Sequence, residues 1–205
     1  MTSSRPSRKA RRQAPDVVKR EAVEAARGLL LSAGPAAVTV KAVADALGMS
    51  HVNLLYHFGS AGGLQAALMT SMVNDLSDAL RRAAEDVLSG ASPQGALVDV
   101  VFRAFDEGGA GRLAAMLALS GETDGLKPIQ ARIDSLVAAL SAQARVKDEA
   151  AARRIRTTVL SVAYLAFADA LIGPVLRDVL DLDQAAGQDE AKRVVAATAR
   201  DLAPM

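Results

Sequence analysis

The sequence predicts an all-α fold, with an N-terminal group of three helices leading into a larger helical bundle. Three observations carry that expectation. Apolar residues recur at spacings of three and four, no stretch shows the alternation of a half-buried strand, and Gly-Pro, Gly-Gly and Ser-Pro pairs cut the chain into helix-sized pieces. Of the 205 residues, 51% are hydrophobic and only 3% aromatic, so the core must be built from Ala, Leu and Val. No internal repeat is detectable.

Element by element, residues 1–15 are a basic arm of low hydrophobicity, expected to be disordered alone. Asp16 to Ala33 forms an amphipathic helix with Val17, Val23, Ala26, Leu30 and Leu31 on or near one side, ended by Gly34-Pro35. A second helix follows Thr39, and a third follows Ser50. The fourth begins near Ser60 and runs to Leu88. Ser92-Pro93 opens another that continues to Glu107 and breaks at Gly108-Gly109, and a short apolar helix covers Arg112 to Leu119. The segment GETDGLKP is a loop, with Pro128 in the first turn of a helix reaching Val146. Asp148 starts a helix that is closed at Ile172 by Gly173-Pro174. Two shorter helices complete the chain, one before Gln184 and one from Gln188 onward. The expected division is an arm over 1–15, a three-helix unit over 16–62 and a bundle over 63–205.

The segment Thr39 to Phe58, TVKAVADALGMSHVNLLYHF, carries the functional signal. Val40, Val43, Ala44 and Leu47 share one helix face, Thr39 stands at the N-cap, and Gly48 can take the left-handed conformation that ends the helix. Ser50 caps the next helix, where Leu54 and Phe58 turn inward with Met49 while His51, Val52, Asn53, Tyr56 and His57 lie on other faces. A helix of about two turns buries little and makes sense as the reading element of a helix-turn-helix. A purely structural helix pair is the competing interpretation of the pattern alone.

Gly34, Val38-Thr39-Val40, Val43-Ala44, Leu47-Gly48-Met49-Ser50, Leu54, His57-Phe58, Ser60 and Leu64 together resemble the DNA-binding signature of the TetR family of bacterial transcriptional regulators. The resemblance covers about a quarter of the chain. It implies a transcriptional regulator, by the family's habit a repressor, that dimerises through the last helices of its bundle and is controlled by a small molecule that moves the fourth helix. Two departures matter. Leu55 stands where the family usually has a tyrosine and Ala61 where it usually has a lysine, and both usual residues hold phosphates. Their loss should weaken the sequence-independent share of binding. Gly63 also stands where a capping-box acid would close the start of the fourth helix, which is therefore expected to begin loosely.

Charge supplies a compensation. Arg5, Arg8, Lys9, Arg11 and Arg12 precede the first acid, and residues 1–62 hold nine Lys and Arg against four Asp and Glu, while the rest hold fifteen against nineteen. The arm can follow phosphates or enter a minor groove, or it can be a solvated tail. Within each half-site, His51 and Asn53 can present hydrogen-bonding groups to base edges and Val52 can meet a thymine methyl. Tyr56 and His57 can reach phosphate or sugar, and Thr39, Lys41 and Ser50 would steady the backbone from the turn and the preceding helix.

Other chemistries are disfavoured. There is no cysteine, and both histidines, His51 and His57, lie on the reading helix, leaving no imidazole for a zinc or Ser-His-Asp site. No metal, cofactor or catalytic residue is expected. The basic N-terminus lacks the apolar core of a secretory signal, so a cytoplasmic location is expected by default. From Val159 to Ile172 apolar residues occupy nearly every face of the helix, yet this run contains Asp169 and is too short and polar for a membrane span. Val159, Val162, Ala166, Phe167 and Ala170 are therefore expected at a homodimer interface, with burial in a monomeric core as the alternative. Phe102, Phe105, Met116 and Tyr164 are candidates to line an effector pocket, with Arg112 and Asp169 as polar anchors. The expected partners are thus a double-stranded DNA operator, an effector and a second copy of the chain. An all-α small-molecule or lipid binder, and a nonspecific nucleic-acid binder acting through the arm, are the alternative functions.

Overall fold

The computed structural model describes residues 14–93, 95–121, 127–143 and 148–202. Among them are nine α-helices and no strand: α1 (Pro15–Ala33), α2 (Val40–Leu47), α3 (His51–Phe58), α4 (Ala61–Leu88), α5 (Ala96–Phe105), α6 (Ala110–Leu119), α7 (Lys127–Gln143), α8 (Glu149–Val179) and α9 (Ala186–Leu202). A single 3-10 turn, Pro35–Ala37, joins α1 to α2.

The buried residues form two clusters. The first combines Ala22, Ala26 and Leu30 of α1, Val38, Val43 and Ala44 around α2, Leu54 of α3, and Leu64, Leu68, Met69 and Met72 of α4. Leu113 and Leu117 of α6 complete it. The second joins Val98 and Phe102 of α5 to Val162 and Ala166 of α8 and Ala191 of α9. Helix α6 thus belongs to the core beneath the N-terminal helices, although residues 59–109 separate it from α3 in the chain.

The buried stripe of α1 is Val18, Ala22, Ala26 and Leu30, whereas Leu31 is exposed. The small alanines decide the face because they let α1 approach α4 closely, and the larger Leu31 is left outside. Helix α5 is shorter than expected at both ends, starting at Ala96 and giving way to a turn after Phe105. Pro128 falls in the first turn of α7 as expected; residues 122–126 of the expected loop over 121–128, and the end of that helix over 144–146, lie outside the described residues.

The largest difference from expectation is in α8. It is capped by Asp148, whose Oδ1 accepts the Ala151 amide at 2.7 Å, but it runs through Gly173-Pro174 to Val179 instead of stopping at Ile172. An interior proline removes the amide that would bond the carbonyl four residues back. Here Asp169 and Arg177, one turn before and one turn after Gly173, form an ion pair along the helix across the proline. A Cβ at Gly173 or at Gly187 of α9 would lie 2.7 or 2.6 Å from Asp169 Oδ1, so the two glycines make the slot in which the carboxylate sits. The separate helix expected before Gln184 is accordingly the end of α8, and α9 follows as the final helix.

Candidate nucleic-acid interface

Helices α2 and α3 are set by their termini. Thr39 Oγ1 accepts the Ala42 amide at 3.1 Å, and Ser50 Oγ accepts the Asn53 amide at 3.2 Å. Between them Gly48 adopts φ 63°, ψ 31°, its amide bonded to the Asp45 carbonyl, and the Met49 amide reaches back to the Ala44 carbonyl at 3.0 Å. This paired closure ends α2 and turns the chain sharply into α3.

Leu54 is wholly buried and Phe58 packs against the same cluster, so α3 can present only its opposite side to solvent. On that side Val52 is 65% and Tyr56 84% exposed, with His51 and Asn53 also exposed. His57 is half-buried on the flank, its ring meeting that of Tyr56 edge-on at 5.6 Å between centroids. Leu55, at the position where a phenol is usual, is half-buried on the other flank. Thr39, Lys41 and Ser50 are exposed around the turn. The structure therefore brings Val52, Asn53 and Tyr56 onto one outward surface, while His51, three residues before Leu54, is exposed at the first turn on the side of the helix that Leu54 occupies. Arg5, Arg8, Lys9, Arg11 and Arg12 lie outside the described residues. Their charge still matters, because residues 14–62 hold four Lys and Arg against four Asp and Glu. All of the net charge of the N-terminal unit comes from the arm.

The start of α4 is not loose. Ser60 Oγ accepts the Gly63 amide at 2.9 Å, so the cap is made without an acid at position 63. No side chain fits there, since a Cβ on Gly63 would collide with the Phe58 carbonyl oxygen at the end of α3. Farther along α4, Gln65 Nε2 donates to the Val38 carbonyl at 3.0 Å, and Arg27 on α1 reaches Ser71 and Asp75. Sequence inspection missed Gln65 and Arg27, because only the fold places them beside their partners.

The residues singled out for an effector pocket do not converge. Phe102 and Phe105 pack in the second cluster and Met116 against the first, while Tyr164 is 66% exposed on the outside of α8. The cavity between α7 and α8, about 920 Å³ and open to solvent, is instead lined by residues such as Ile133, Val137, Val159 and Leu160, with Arg156 and Glu149 at its edge. Of the two polar anchors, Asp169 is engaged with Arg177, and Arg112 is half-buried on α6.

The residues expected at a homodimer interface are spread around α8. Val162 and Ala166 are buried within the chain, Ala170 lies against Gly111 of α6, Val159 lines the α7–α8 cavity, and Phe167 is half-buried. The exposed apolar stripe of α8 lies nearly opposite and consists of Leu160, Tyr164, Leu171, Val175 and Val179, flanked by Ile172 and Leu176. By length and composition alone α8 could cross a membrane. Its buried inner stripe and its internal Asp169–Arg177 pair are instead features of a helix packed against protein.

Residues 22–68 match the family model described as bacterial regulatory proteins, tetR family. No curated protein matches the chain. Among solved structures, the chain is similar in fold to the multidrug binding protein EbrR, crystallised with imidazole, at a TM-score of 0.60 and 15% identity over 86% of this chain and 93% of that one. The matched segment spans most of α1, both helices of the turn motif and the first part of α4, the elements that shape the exposed face of α3. Residues 22–68 are thus a helix-turn-helix DNA-binding domain of the tetR type, carried on an all-helical frame similar in fold to that solved structure.

Proposed function

We propose that the protein is a transcriptional repressor that binds a near-palindromic operator as a homodimer and answers to a small-molecule effector. The observation that carries this reading is the outward face of α3, where Val52, Asn53 and Tyr56 are exposed opposite a wholly buried Leu54. A two-turn helix so anchored presents a base-reading surface and little else. His51 and Asn53 hydrogen-bond to base edges, Val52 meets a thymine methyl, and Tyr56 with His57 reaches the sugar-phosphate chain. The arginine-rich arm supplies the phosphate contacts that Leu55 and Ala61 do not.

A homodimer is supported by the outer stripe of α8, which runs for about five turns with Val175 at 66% and Val179 at 74% exposure. A dimer that reads two half-sites on one face of the duplex needs its recognition helices one helical repeat apart, about 34 to 36 Å, and therefore a near-palindrome. A small-molecule effector is supported by the fold shared with a multidrug-binding protein and by the open cavity between α7 and α8. On this reading the protein acts in the cytoplasm by binding DNA, without catalysis and without a resident cofactor.

The test is selection of bound fragments from the source genome, followed by titration of the selected duplex and a scrambled duplex across salt concentrations. A selected palindrome bound more tightly than its scrambled form at every salt concentration supports specific regulation. Equal affinities would leave only nonspecific binding through the arm.

A further inference from the structure

The N-terminal unit reaches further along the chain than its three helices. Leu64 and Leu68 of α4 are wholly buried in its core, followed by Met69 and Met72. Two side chains fix the same stretch from outside the core. Gln65 ties α4 to the Val38 carbonyl just ahead of α2, and a single nitrogen of Arg27, Nη2, donates to Ser71 Oγ at 3.0 Å and Asp75 Oδ2 at 2.5 Å. Ser71 and Asp75 are one turn apart, so the two hydrogens of one Nη2 grip successive turns of the same face. Arg27 is itself well enclosed, with its side chain 22% exposed and its Nε buried without a hydrogen-bond partner, 3.9 Å from Glu24.

Apolar packing is non-directional and lets one helix slide or roll on another. Hydrogen bonds from one guanidinium to two acceptors oppose both motions, the Ser71 bond on the half-buried side and the Asp75 bond at the exposed rim. We infer that Arg27 is a positioning residue that makes Ala61–Asp75 a rigid part of the DNA-reading unit. A displacement of the bundle then reaches α3 as rotation of one body and not as bending at Ser60–Gly63. The junction itself agrees, since Ser60 caps it and the Phe58 carbonyl closes the space beside Gly63. The consequence for DNA rests on the function proposed above, whereas the rigidity does not.

The chain has no cysteine, so Asp45→Cys on α2 and Arg82→Cys on the far half of α4 can be spin-labelled selectively and diluted with unlabelled protein. In the otherwise unaltered protein a single narrow distance distribution is expected. Arg27→Met should broaden it and Arg27→Lys should restore part of the sharpness. Arg27→Met should also weaken binding of the selected duplex by about fivefold while leaving scrambled DNA unaffected. A distribution that is already broad in the parent, or one unchanged by Arg27→Met, overturns the inference. Should Arg27→Met fail to fold, Ser71→Ala removes one of the two acceptors and is read in the same way. A parent that does not discriminate between duplexes counts against the proposed function alone, because the distance measurement still decides the role of Arg27.

Discussion

Replacing Asp169 by Ala tests how α8 survives its proline. The carboxylate pairs with Arg177, and the two side chains are only 18% and 16% exposed. Removing one partner of a buried pair costs about 3–5 kcal/mol, because the other charge is left without compensation. The residual solvent access at this site lowers the expectation to about 2–3 kcal/mol. Arg177→Ala should cost at least as much, since it leaves a carboxylate enclosed between Gly173 and Gly187. The double variant should lose about 1–3 kcal/mol less than the sum of the singles, which is the signature of a direct pair. Pro174→Ala should act in the opposite direction by about 1–2 kcal/mol. It restores a donor to the Ala170 carbonyl at a position where proline costs about 3, less the unfolded-state entropy that proline removes. Urea denaturation followed by far-UV circular dichroism, at one fixed protein concentration, gives all four values. Single variants within about 0.5 kcal/mol of the parent, or a strictly additive double, would refute the claim that the pair holds the helix across Pro174.

Three further outcomes follow from the site and the α8 surface. Asn53→Ala should weaken binding of the selected duplex by about 1–3 kcal/mol and leave scrambled DNA unchanged, as read by fluorescence anisotropy. Leu171→Asp with Val175→Asp should shift the protein to a monomer in sedimentation velocity while retaining its helical content, because both side chains lie on the exposed stripe of α8. Deleting residues 1–12 removes five cations and should lower the slope of log affinity against log salt by up to about 4. An unchanged slope would make the arm a passive tail.

The helix-turn-helix was legible in the sequence because each of its determinants is local. Thr39, Gly48 and Ser50 act within four residues of themselves, and Val43, Ala44 and Leu54 mark a face that no distant contact overrides. Helix α8 was not legible in the same way. A helix that is apolar all round carries no phase, so Val162 and Ala166 could not be told from Leu160 and Tyr164 until α5 and α9 were seen to cover one side. The helix end expected at Gly173-Pro174 failed because the stabilising partner, Arg177, lies beyond the break. On α1 the pattern overvalued Leu31 and undervalued Ala22, since periodicity weighs side-chain size while close helix packing selects small residues. The loose start expected of α4 failed for a related reason. The missing acid at position 63 reads as a weakness in sequence, yet the Phe58 carbonyl leaves no room for one.

The place of Leu113 and Leu117 beneath α1 and α4 also bears on how the chain is made. Synthesis releases the helix-turn-helix first, but its apolar floor is supplied by α6, which leaves the ribosome only after all of α4 and α5. Until then Leu30, Leu64 and Leu68 have no lid on one side, and the nascent N-terminal half presents an open apolar face. A ribosome stalled before Leu113 has emerged should therefore display a protease-sensitive N-terminal half, and one stalled well after Leu117 a protected one.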